Sequence, residues 1–276
     1  QHPLTGELLV KAQTPHLQTN ARGETVRTVE HRAAWDLTFS APKSVSLTAL
    51  VGGDERVREA HQQAVDTALR ATEPYVQARM GGVHPARTTG QWGAARFEHD
   101  SARPVDGYSA PQLHTHTVVF NMTTTEDGQT RALQPRELYR SQQYATAVYR
   151  STLATQLRAL GYEIERGGSG QPEIRGYSPE YLEASSPRRQ QIETYLDETG
   201  HRGAAAAQIA AHQTRATKAE VPHYEMRRIH RDLAAAFDHQ PARVVAGAIR
   251  HDAVEQTVAD TESAAAVRQQ AVTFAM

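Results

Sequence analysis

Two periods divide the chain. Ala34-Trp35-Asp36-Leu37-Thr38-Phe39-Ser40 sets Trp35, Leu37 and Phe39 on one side and Asp36, Thr38 and Ser40 on the other, the pattern of a strand with one face in a core. Pro111–Asn121 gathers Thr115, Thr117, Val118, Val119 and Phe120 into a second strand, which the polar cluster Thr125-Glu126-Asp127-Gly128 follows. Residues 88–99 predict a third strand, and the strand at His114 is expected to make a hairpin with Thr130-Arg131-Ala132-Leu133 across the acidic turn. A further hairpin is expected where 162–165 and 172–175 flank Gly167-Gly168-Ser169-Gly170.

Helical spacing governs the rest. Val57, Ala60, Ala64, Leu69 and Val76 predict a helix from Asp54 to about Arg79, and Tyr139, Val148, Leu153 and Leu157 a long one over 136–160, closed by Gly161. Pro42 suits the start of a short helix that Gly52-Gly53 stops. From Ser178-Pro179 onward helices are expected near 179–199, 204–213, 221–237 and 241–273, rich in alanine and poor in large apolar side chains. That composition describes a thin helical layer docked on something else. Residues 1–33 are irregular apart from a strand at Glu7-Leu8-Leu9-Val10.

Composition narrows the class without naming a function. At 276 residues and 39% hydrophobic, the chain can bury one large core or two small ones. No apolar run approaches the ~20 residues that span a bilayer, and the first residues resemble no signal peptide, so the cytoplasm is the expected compartment. Without cysteine there are no disulfides, which fits a reducing environment. A net charge of −1 gives no bulk case for nucleic acid. Yet Lys11, Lys43 and Lys218 are the only lysines among 30 basic residues; arginine forks match phosphate oxygens, though a GC-rich genome produces the same bias. The chain starts without Met and stops inside a helical pattern, and is therefore read as part of a longer protein.

The candidate chemistry centres on histidine. Alternation puts His114 and His116 on one strand face, roughly 6–7 Å apart along the strand. His99, on the preceding strand, would give three imidazoles for one divalent metal with positions left for substrate. With 14 histidines in the chain, a chance pair stands as the alternative. Asp36 is either an acid of that site or a solvated strand residue, and Lys43 at a helix start suits a phosphate. Trp92 and Phe97 are expected in the core, with base stacking as the alternative.

Three stretches, Asp36-Leu37-Thr38-Phe39-Ser40-Ala41-Pro42-Lys43-Ser44-Val45-Ser46, Phe97-Glu98-His99-Asp100 and Pro111-Gln112-Leu113-His114-Thr115-His116-Thr117-Val118-Val119-Phe120-Asn121, resemble conjugative relaxases of the TrwC/TraI (MobF) type in the HUH endonuclease superfamily. Ala147-Val148-Tyr149-Arg150, Leu160-Gly161-Tyr162 and Thr214-Arg215-Ala216-Thr217-Lys218 extend the likeness in consistent order over roughly residues 1–250. The resemblance implies an α+β fold, with a central antiparallel sheet as palm, packed helices and helical C-terminal fingers. It implies a relaxase domain over 1–250 and an extension over 251–276 toward a further domain, in relatives a helicase.

It also implies metal-dependent nicking and rejoining of single-stranded DNA at a plasmid origin of transfer, through a 5′-phosphotyrosyl link. By motif, His99, His114 and His116 would hold the metal, Mg or Mn first with Zn or Ni as others, and Asp36 would be the acid beside the nucleophile. Lys43, Arg103, Arg131, Arg150, Arg215 and Lys218 are the implied DNA contacts, and other relaxosome proteins are implied partners. One feature departs from the family. Its tyrosines precede the Asp36 motif, whereas the first here is Tyr75, so the nucleophile is expected outside this chain, with Tyr108 as the substitute candidate. A His-ligated hydrolase using activated water and a non-catalytic DNA-binding remnant are the competing functions.

Overall fold

The structure, a computed structural model, describes residues 16–19, 23–28, 32–214 and 223–251. In chain order, β1 (His16–Thr19) and β2 (Thr25–Thr28) pair antiparallel, and β3 (Ala34–Ser40) leads through Pro42 into α1 (Lys43–Leu50). α2 (Glu55–Thr72) ends in a 3-10 turn, Glu73–Tyr75, before β4 (Gln77–Ala78) and β5 (Arg87–Thr88). Then come β6 (Ala94–Ser101), β7 (Pro111–Phe120), β8 (Thr123–Thr124), β9 (Thr130–Arg131) and β10 (Leu133–Gln134). α3 (Arg136–Arg140), α4 (Gln142–Ala159), β11 (Ile164–Arg166) and β12 (Pro172–Ile174) precede the helical part: α5 (Pro179–Ala184), α6 (Pro187–Thr199), α7 (Ala204–Gln213), α8 (His223–Ala236) and a helix over 240–251.

β3, β7 and β6 form a three-stranded sheet in that order, and β10-β4-β5 a second. The α+β class with antiparallel sheets is as expected. Several boundaries are not. The helix expected over 54–79 stops at Thr72, because Pro74 lacks the N–H that an α-helix needs there. The strand expected over 88–99 is two strands, interrupted between Thr88 and Ala94 by Gly90, at φ +66°, and Gly93. The acidic turn joins β8 to β9, not β7 to β9, and Leu133 pairs with Ala78 of β4. The 136–160 helix breaks at Ser141, and the 179–199 helix at Ser185-Ser186, after which Pro187 starts α6. The strand expected at Glu7–Val10 and the helix beyond 251 lie outside the described residues.

Packing divides the chain into two compact units. The first holds the described residues up to Phe39, with Val65–Glu98 and Thr115–Tyr149. Its core is built on Val76, Val119 and Leu133, fully buried, with Trp35, Leu37, Trp92 and Leu138 packed against them. Trp92 is thus the core residue expected. The Asn121 side chain ties this unit together, donating to Arg32 O at 2.8 Å and accepting from Leu133 N at 3.0 Å.

The second unit holds Ser40–Ala64, His99–His114 and the described residues from Arg150 on. Leu47, Tyr181 and Ala234 form its buried centre, with Val51, Tyr177, Leu182, Leu233 and Phe237 around them. Here the thin helical layer finds its support: α8 contributes Leu233 and Ala234 to this core. Ser44 Oγ accepts from Ile174 N at 2.9 Å, which joins α1 to the β11–β12 hairpin. No helix among the described residues is long and apolar enough to cross a membrane.

Candidate active site

β7 carries the site because its two faces differ. Leu113, Thr115, Thr117 and Val119 are buried, while Gln112, His114, His116 and Val118 on the opposite face are half-buried. This is the period-2 alternation of a strand covered on one side only. His114 and His116 therefore share the open face.

In the first unit, His116 Nδ1 lies 2.6 Å from Asp36 Oδ2 and 3.1 Å from Thr38 Oγ1. A carboxylate only accepts, so Nδ1 carries the proton, and in the neutral ring Nε2 holds the lone pair. Thr38 Oγ1 also donates to Asp36 Oδ2 at 3.5 Å. Asp36 thus faces a histidine instead of being a merely solvated strand residue. Thr38 was not singled out as a site residue, although its position two beyond Asp36 on an alternating strand places it on the same face.

In the second unit, the His99 and His114 rings stack with centroids 5.2 Å apart and planes 20° from parallel. His114 Nδ1 lies 2.9 Å from its neighbour's carbonyl, Gln112 O, which again fixes the proton on Nδ1 and the lone pair on Nε2. The Gln112 side chain donates to Ala41 O at 2.7 Å, so the residue that orients His114 is itself anchored. Both β7 imidazoles thus show the outer hydrogen bonding that metal-ligating histidines have, one to a carboxylate and one to a backbone carbonyl. An imidazole Nε2 lone pair is by its chemistry a donor suited to a divalent cation. Among the described residues, however, no three or more His, Asp or Glu side chains are gathered as a formed ligand cluster.

The segment joining β6 to β7 is an ordered turn. Ala102 N donates to Ala110 O at 2.8 Å, and Val105 and Tyr108 exchange both backbone bonds around Asp106 and Gly107, whose φ angles are +49° and +82°. Two successive left-handed residues make a tight hairpin turn, for which Asp-Gly is a favoured pair. α8 grips this tip: His230 Nε2 donates to Ser109 O at 2.8 Å, and the Tyr108 ring meets the His230 ring edge-on at 5.7 Å. The Tyr108 hydroxyl is buried without a hydrogen-bond partner, and burial, with Tyr181 nearby, pushes its pKa far above the ordinary value. A phenol so placed resists ionisation, which weighs against Tyr108 as a substitute nucleophile.

The cationic candidates fare differently. Lys43 Nζ donates to Pro111 O at 2.7 Å, and burial lowers its pKa to about 8 despite the nearby Glu173. It anchors the start of β7. Arg150 donates to Ser169 O at 2.6 Å in the glycine-rich β11–β12 turn, and Arg131 to Gln129 Oε1 at 2.6 Å. Arg103 is half-buried just beyond β6. Arg215 and Lys218 lie outside the described residues. Phe97, expected in the core, is 52% exposed, because β6 presents that face to solvent.

Comparison with known proteins gives this geometry a context. Residues 1–237 match the family described as TrwC relaxase. The multifunctional conjugation protein TraI of Escherichia coli K12 is 38% identical over 203 residues, covering 69% of this chain; the chain spans only 11% of the length of that relative. Among solved structures, the copper-bound conjugative relaxase TrwC in complex with oriT DNA is 34% identical, with a TM-score of 0.69 over 80% of this chain and 74% of that one. The metal-free TrwC complex with oriT DNA is 32% identical, with a TM-score of 0.71 over 85% and 80%. With a family match running from the first residue through α8 and a shared fold at a third identity, the chain belongs to the TrwC relaxase family.

Proposed function

We propose that this chain is the DNA-processing domain of a plasmid conjugation protein, nicking and rejoining single-stranded DNA at an origin of transfer in the bacterial cytoplasm. The observation that carries the reading is the Asp36–His116 pair, whose imidazole holds its proton on Nδ1. The TrwC relatives with bound oriT DNA, with and without metal, support both the DNA partner and a divalent cofactor. His99, His114 and His116 would hold that cation, Mg²⁺ or Mn²⁺ in the first instance, through Nε2. The chemistry it would supply there is Lewis-acid polarisation of the scissile phosphate.

The chain's own residues do the remainder. Asp36 fixes the His116 ring and, as a base, accepts the proton of an attacking tyrosine hydroxyl. The phenolate oxygen bonds to phosphorus, the bond from phosphorus to the 3′ oxygen breaks, and that oxygen leaves as a 3′-OH after taking a proton. The reverse step rejoins the strand. The nucleophilic tyrosine is proposed to come from a segment preceding the Asp36 motif; Arg103, Arg131, Arg215 and Lys218 are proposed to hold phosphates, and other relaxosome proteins to assemble on the complex. The supporting fact against an internal nucleophile is the buried Tyr108 hydroxyl.

The test is cleavage of labelled single-stranded transfer-origin DNA with Mg²⁺ or Mn²⁺, comparing this chain with one extended upstream. A covalent adduct from the extended protein alone is the expected result. Cleavage by this chain without an adduct would show activated water instead, and no cleavage by either would reduce the domain to DNA binding.

A further inference from the structure

The open face of the sheet carries two phenylalanines that the chemistry above does not use. Phe120 follows His116 by four residues on β7, so it points the same way, and it is 42% exposed. Phe97 precedes His99 by two on β6, so those two side chains share a face; the stacking of His99 on His114 identifies it as the face that bears the histidines. Phe97 is 52% exposed. Burying a phenyl ring is worth roughly 1.5–3 kcal/mol, so two rings left half in water on one face forgo a sizeable gain.

Phe120 is also held in place. Its backbone N donates to Gly93 O at 2.9 Å, and a Cβ on Gly93 would stand 3.4 Å from Phe120 Cδ2. A side chain at 93 would thus begin in ordinary van der Waals contact with the ring. Both phenyl rings belong to the first unit, together with Asp36, Thr38 and His116.

We propose that Phe97 and Phe120 form a base-stacking platform that holds unpaired nucleobases on either side of the phosphate presented to Asp36 and His116. The proposal rests on the DNA-nicking reading. A flat apolar face beside a phosphate-handling site suits a nucleobase, whose π face stacks on an aromatic ring whatever its sequence. At ~3.3 Å per residue, Phe120 stands about 13 Å along β7 from His116, which leaves room for a flanking nucleotide between them. Phe97 serves the base nearest the site.

The experiment measures binding of a fluorescein-labelled oligodeoxythymidine to the chain by anisotropy, without metal, alongside the same oligonucleotide made of abasic nucleotides. Phe120→Ala and Phe97→Ala should each weaken binding of the base-bearing strand by about 5- to 150-fold and leave the abasic strand unaffected. Phe120→Trp should bind as the parent does, while Phe120→Leu, equally able to pack, should not. Equal affinity of the alanine variants and the parent, or equal losses on both strands, would overturn the platform while leaving the DNA reading standing. A parent chain that binds neither strand would overturn both.

Discussion

At the scale of single residues, the site depends on where protons sit. Asp36 has a carboxylate oxygen 2.6 Å from His116 Nδ1, so Asp36→Asn exchanges an acceptor for an amide that can turn its donor toward the ring. Loss of such an outer partner typically costs about 10–100-fold in metal affinity. The expected outcome for Asp36→Asn, in a protein that carries the nucleophile, is a nicking rate reduced by at least that factor with affinity for single-stranded DNA unchanged. Equal losses in rate and affinity would mean that Asp36 serves folding or binding. Lys43 makes a different kind of prediction. Its pKa falls from 10.5 unfolded to about 8 folded, so between those values the unfolded chain binds more protons. Stability relative to a Lys43→Met variant should therefore rise as pH increases from about 8 toward 10.5, read as the difference in urea midpoints at each pH. A difference that is flat across that window would show that Nζ is solvated.

At the scale of elements, the β6–β7 hairpin and the helix ends show what local sequence can and cannot specify. Val105-Asp106-Gly107-Tyr108 contains the Asp-Gly pair that favours a two-residue turn, yet Pro104 and Pro111 nearby make the same stretch read as an open loop. The structure closes it because backbone bonds at Ala102 and Ala110 continue the pairing. Gly107 has φ +82° and open space where a Cβ would stand, so Gly107→Ala should cost about 1–2 kcal/mol from backbone strain alone, measured by denaturant unfolding. A variant as stable as the parent would mean the turn relaxes freely. α7 matches its expected span over 204–213, whereas α2 ends seven residues early at Thr72. The difference is Pro74: apolar spacing persists through Val76, which is buried in the first unit's core from an extended segment instead of a helical one. Burial pattern alone does not distinguish the two.

At the scale of the molecule, the face shared by His114 and His116 and the polar face that carries Asp36 were legible from the period of 2 in β7 and β3. What sequence could not supply was the use of each charge. Lys43, Arg131 and Arg150 all engage partners within the chain, and only three-dimensional neighbours reveal that. A metal test belongs at this scale, since binding to the folded state alone raises stability by about 2.7 kcal/mol at a hundred times Kd. Mn²⁺ or Zn²⁺ should raise the unfolding temperature of the chain, and the His114→Ala/His116→Ala double variant should fold but lose that response. Retention of stoichiometric metal by the double variant would remove these two as ligands. β7 runs through both units with imidazoles on one face and Leu113 and Val119 on the other, so parity along it is under constraint. Adding or deleting one residue within the strand exchanges its faces, turning histidines into the core and leucine to solvent. Relatives of this chain should therefore vary freely in length between Ala102 and Ala110 while insertions or deletions inside β7 are purged, which gives that strand a fixed length across the lineage.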